Sequence, residues 1–99
     1  MSRSYLINAN CSVLSPEQFK DTHELASGLM SNYFVEEEYL MCKVISSPKV
    51  IRLGESGQIE VSLLVLNSDY TPKKGQRFEL REGEGILAVC ECIDFILEE

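Results

Sequence analysis

Ninety-nine residues with an apolar fraction of 44% and a charged fraction of 25% allow one modest hydrophobic core and exclude a disordered chain. Sixteen acidic against nine basic side chains give a net charge of −7, which repels a phosphate backbone and favours encounter with a basic partner. No apolar run approaches the roughly 18 residues of a membrane span, and the apolar residues after Met1-Ser2-Arg3-Ser4 are broken by Asn8, Asn10 and Ser12, unlike a secretory leader, so a cytoplasmic location is expected.

Tyr5 to Leu14 reads as the first strand. Tyr5, Ile7, Ala9, Cys11 and Val13 alternate with Leu6, Asn8, Asn10 and Ser12 until Ser15-Pro16 ends the run. Ser15, Pro16 and Gln18 have the chemistry of a helix start, and a short helical turn followed by a loop is expected, with a longer helix to about Leu29 as the alternative. Asn32 to Ile45 reads as one second extended region that leaves solvent at the acidic triplet and enters the core at Leu40. Lys49 to Leu53 is a short strand candidate, closed by the turn Gly54-Glu55-Ser56-Gly57. Gln58 to Leu66 is the strongest core strand, with Ile59, Val61, Leu63 and Val65 on one face. After a polar loop, Arg77 to Glu82 and Ile86 to Leu97 form two strands joined by the tight hairpin Gly83-Glu84-Gly85. Within the first of these, Phe78 and Leu80 face one way and Arg77, Glu79 and Arg81 the other. Five to six strands with turn signals about ten residues apart make the pattern of a small β-barrel or sandwich.

The four cysteines, Cys11, Cys42, Cys90 and Cys92, each fall in a strand-like stretch and read as small buried thiols. Cys90 and Cys92 share one strand face about 7 Å apart, too far for an easy disulfide with each other. A metal site would need Cys-x-x-Cys spacing or a nearby imidazole, and the one histidine, His23, stands elsewhere in the chain. No metal and no cofactor are expected. Catalysis is weakly supported too. His23 sits among polar residues with no cysteine placed beside it, and the carboxylates alternate sides of strands as solvated groups rather than a tuned pair.

Two surface features carry the binding potential. The first is the acidic triplet Glu36-Glu37-Glu38 flanked by Tyr33, Phe34 and Tyr39, which places charge beside aromatics and suits a basic protein patch. The second is a basic island of Lys73, Lys74, Arg77 and Arg81, suited to an acidic partner or to RNA phosphate.

The segment Gly75-Gln76-Arg77-Phe78-Glu79-Leu80-Arg81-Glu82-Gly83, preceded by the strand Gln58 to Leu66, resembles the carboxyl-terminal β-barrel domain of bacterial elongation factor Tu. That family shows Arg-Phe, an aliphatic residue and Arg-Glu-Gly at its final hairpin, followed by a closing strand. The chain departs from the pattern at Glu84, Ala88 and Cys90, where the family has glycines, and Asp21 to Gly28 lacks the arginine and prolines of the family's tRNA-contacting loop. The resemblance implies the barrel fold and a protein-docking habit, with no GTP-binding domain. The expectation for residues 1–99 is therefore a single small antiparallel β-barrel of about six strands, of the elongation factor Tu third-domain kind. It would act without catalysis as a cytosolic protein-binding module, an immunity-type inhibitor of a basic toxin being one specific form. An RNA- or translation-associated binding protein is the alternative, and no membrane role is expected.

Overall fold

The computed structural model describes residues 2–13, 25, 27–46, 50–52, 54–82 and 85–98. It contains six strands: β1 (Ser2–Val13), β2 (Met30–Val35), β3 (Glu38–Ser46), β4 (Ser56–Leu66), β5 (Arg77–Glu82) and β6 (Gly85–Glu98). They close into an antiparallel barrel in the order β1-β4-β3-β2-β5-β6, with β6 returning to β1. β2, β3 and β4 are successive neighbours, and β1 reaches β4 across the long connection 14–29, which is a Greek-key arrangement read from its far end. The all-β expectation holds, and there is no helix among the described residues.

Alternation builds the core. Tyr5, Ile7, Ala9, Cys11 and Val13 of β1 point inward beside Ile59, Val61, Leu63 and Val65 of the neighbouring β4, and Phe78 and Leu80 of β5 add to the same core. A barrel this narrow is filled by its own side chains. One end is closed by Leu25, which pairs with Ile51 in an isolated bridge, and by Gly28 and Leu29, which bond to Val44. The proposed short strand thus reduces, among described residues, to the bridge at Ile51. Leu25 and Leu29 make extended pairings, against the longer-helix alternative, and the helix start at 15–18, together with His23, lies outside the described residues. The other end is closed by the β4–β5 connection, from which Tyr70 and Pro72 are buried.

Two sequence expectations need correction. Asn32 to Ile45 is a hairpin, β2 and β3, turning at Glu36 and Glu37. Both take left-handed φ values, 50° and 66°, which two-residue hairpin loops require and which Asn and Gly normally supply. The apolar parity gives the turn away. Buried positions are odd before it (Tyr33, Val35) and even after it (Leu40, Cys42, Val44). The second correction concerns the cysteines. Cys11 and Cys90 lie directly opposite on β1 and β6, with Cα atoms 4.2 Å apart, and are joined as a disulfide, while Cys42 and Cys92 are free and buried. Facing positions on paired strands bring thiols together at any sequence separation, and spacing along the chain is blind to it.

Candidate protein-docking face

The β2–β3 hairpin positions most of the predicted contact residues. Tyr39 lies opposite Phe34, their rings 4.8 Å apart and tilted, on the outer wall of the barrel. Met41 continues that face, opposite Asn32 on β2 and Leu64 on β4, and Leu66 follows Leu64 on the same side. Tyr39 and Met41 are each 52% exposed and Leu66 46%, so a side-by-side apolar strip faces solvent.

Arg81 of β5 crosses to this strip. Its guanidinium carbon sits 3.8 Å over the Phe34 ring, and Nη1 donates to the Tyr39 hydroxyl at 2.9 Å. Nε donates to Glu79 Oε1 at 2.7 Å, and Nη2 pairs with the same oxygen at 2.5 Å. The arginine is therefore held flat by a ring and a carboxylate, a planar group pre-set for contact.

The acidic triplet divides by role. Glu36 accepts from Gln76 Nε2 at 3.0 Å, and Glu38 accepts from Ser68 Oγ at 2.7 Å, so both tie the hairpin to the β4–β5 connection. Glu37, at the tip, is exposed with no partner among the described residues, which leaves its carboxylate open to solvent. Tyr33, expected beside the triplet at the surface, is instead fully buried. It stacks on Phe78 at 4.1 Å and shares a 3.0 Å hydroxyl hydrogen bond with Tyr70. Its odd-numbered place on β2, in phase with Val35, turns it inward.

The same connection is fastened from the opposite side. Arg3 Nη2 donates to the carbonyls of Ser68 and Tyr70 at 3.0 and 2.9 Å, and Tyr70 donates to Gln76 Oε1 at 2.6 Å. Burial pushes the hydroxyls of Tyr33 and Tyr70 upward, the latter to about 12. Burial likewise pushes the Cys42 thiol up to about 11, so it is not a thiolate at neutral pH.

The basic island does not assemble as one patch. Lys73 and Lys74 are exposed on the β4–β5 connection, and Arg77 stands at the start of β5 opposite Glu91. Arg77 and Arg81 are about 13 Å apart along the strand, with Glu79 between them bound to Arg81. On the far wall, a shallow depression of about 490 Å³ lies among Ser12, Gln58, Arg77 and Glu91. Among the described residues no group of His, Cys, Asp and Glu side chains is placed to hold a metal ion.

Neither a scan against protein-family models nor a search of curated proteins finds a match. The candidate face therefore stands on its geometry.

Proposed function

We propose that the barrel is a non-catalytic protein-binding module that docks a basic partner through the outer face of the β2–β3 hairpin. The observation that carries this reading is the exposed strip of Tyr39, Met41 and Leu66, with Arg81 laid over Phe34 and the carboxylates of Glu36, Glu37 and Glu79 at its border. Aromatic, Met and Arg side chains at the centre with charge at the rim is the composition of a binding patch. Acid groups around it, on a chain of net charge −7, select a basic partner and speed its approach. An immunity-type inhibitor of a basic toxin is the specific form that fits small size, acidity and a filled interior. The likeness of 75–83 to the third domain of elongation factor Tu points the same way, because that domain docks other proteins. The RNA-associated reading has less support, since Glu79 already neutralises Arg81 and separates it from Arg77. A cytoplasmic site of action fits poorly with the Cys11–Cys90 disulfide, because cytosolic thiols are kept reduced. Alkylation and mass measurement of the protein drawn from its native cells decides that point.

Cross-linking in native cells tests the docking face. Wild type should capture a basic protein, and Tyr39→Ala or Glu37→Lys should reduce that yield about tenfold while Lys73→Ala/Lys74→Ala does not. Salt-sensitive retention of tRNA, lost in the double lysine variant, would favour the RNA reading instead.

A further inference from the structure

β6 outruns its neighbour on one side. β1 follows it to the end, pairing Asn8 with Asp94 and Ser4 with Glu98, whereas β5 begins only at Arg77, opposite Glu91. The connection ahead of β5 adds one more rung, in which Gly75 N–H donates to the Cys92 carbonyl and Cys92 N–H donates to the Gln76 carbonyl. Beyond that rung no described strand pairs with residues 93–98 on the side away from β1, and the Asp94 carbonyl accepts from Cys92 Sγ at 3.6 Å.

The side chains agree with an open edge. A bulge at Ile93 shifts the phase of β6, so Phe95 turns inward and meets the Tyr5 ring edge-on at 6.2 Å. Leu97 lies opposite the inward-facing Tyr5 and so shares its face, yet it is 54% exposed, because β5 does not reach across from it. Ile96 on the other face is 61% exposed. The run Phe95-Ile96-Leu97 thus presents apolar surface on both sides of a strand whose outer edge is paired with no strand among the described residues.

We propose that residues 93–98 of β6 are an acceptor edge for an extended segment of a partner protein. The segment adds as a seventh strand, with apolar side chains at alternate positions and Lys or Arg between them. Unpaired backbone donors and acceptors on a strand are completed by another strand. Phe95 and Leu97 on one face and Ile96 on the other call for apolar groups in the incoming segment. Its charge follows from the acceptor. The ionic side chains of this length are Asp94 and Glu98, both exposed, on a body of net charge −7. Asp94 accepts from the Asn8 amide at 2.7 Å, which holds its carboxylate in place beside the edge. A second copy would set these acids, and the same net charge, against themselves. The edge lies outside the hairpin face, so it stands or falls separately from the docking reading above.

The test is amide exchange and chemical-shift mapping on labelled full-length protein titrated with a hexapeptide alternating lysine and valine. Protection and shifts should concentrate at residues 93–98. The same peptide with proline in place of its central valine, which removes a donor, should bind about tenfold more weakly or worse. The double variant Ile96→Lys/Leu97→Lys should lose binding equally while keeping the wild-type melting temperature, since both side chains are exposed. Shifts confined to the hairpin at 34–41, or equal binding by the proline peptide, would overturn the proposal. So would equal binding by a glutamate–valine peptide. Sedimentation showing a dimer with residues 93–98 protected and no peptide added would give the edge to a second copy and overturn it too.

Discussion

The β1 wall and the β2–β5 seam hold the barrel closed in different ways. β1 is paired along its length on both sides, with eleven residue pairs to β4 and a disulfide to β6. β2 and β5 share only three pairs, Asn32 with Arg81, Tyr33 with Leu80 and Phe34 with Glu79. At the seam, stacking replaces the missing ladder. Inside the barrel Tyr33 lies on Phe78, and outside it Arg81 lies on Phe34. Where backbone pairing is thin, side-chain planes clamp both faces, and the outer clamp is also the centre of the proposed docking face. The proposed docking and barrel closure would therefore draw on the same residues at this seam, while β1 is held by paired strands on both sides and by the disulfide.

Removing the inner clamp should have the largest effect. Phe78→Ala should destabilise by about 3–5 kcal/mol in chemical denaturation, and a cost under about 1 kcal/mol would show that the seam does not depend on this stack. The β1 wall is probed by Cys11→Ser/Cys90→Ser. Closing a loop with a sequence separation of 79 restricts the unfolded chain, so its loss should cost about 2–5 kcal/mol. An unchanged melting temperature under reducing agent would contradict that.

Next comes the turn beside the seam. A non-glycine residue in the left-handed region costs roughly 1–2 kcal/mol, and Glu37 sits there with φ 66°. Glu37→Gly should raise stability by about 1 kcal/mol while weakening capture of a basic partner. A variant more stable and equally competent would separate this carboxylate from binding.

The smallest effect is at the mouth. Tyr33 and Tyr70 are held protonated by burial, with Tyr70 at about 12 against 10.0 for a free tyrosine. Raised values mean that the unfolded chain loses these protons first. Their stabilisation is thus intact below pH 10 and falls as pH climbs toward about 12, with Cys42, at about 11 against 9.0, contributing from lower pH. Tyr33→Phe should cost roughly 1 kcal/mol at neutral pH and flatten the alkaline loss measured by denaturant melts from pH 8 to 11.

How far the sequence reveals this molecule depends on local pattern. Arg77–Glu82 was readable to the residue, because Phe78 and Leu80 alternate with charged neighbours between clear turn residues. Gln58 to Leu66 was readable for the same reason, and β4 starts only two residues earlier. The hairpin at Glu36-Glu37 was not, since glutamate carries no turn signal; only the parity switch from Tyr33 and Val35 to Leu40 and Cys42 marks it. The same slip sent Tyr33 to the surface. Bulges at Leu87 and Ile93 shift the phase of β6, so uniform alternation fails there, with Leu87 and Ala88 both buried. Of the proposed docking face, Tyr39 and Glu37 are legible as exposed residues. The clamp of Arg81 on Phe34 depends on the pairing of β2 with β5, a contact between strands more than forty residues apart.

The closing ladder joins the first strand to the last, Ser4 opposite Glu98. During synthesis β1 leaves the ribosome with neither neighbour available, since β4 emerges some fifty residues later and β6 last of all. Cooperative closure must wait for β6 to be released, and the high contact order places the folding step in the millisecond-to-second range. Until then the apolar face of β1 is an unguarded strand, the point at which a nascent chain of this design is most exposed to misassembly or chaperone capture.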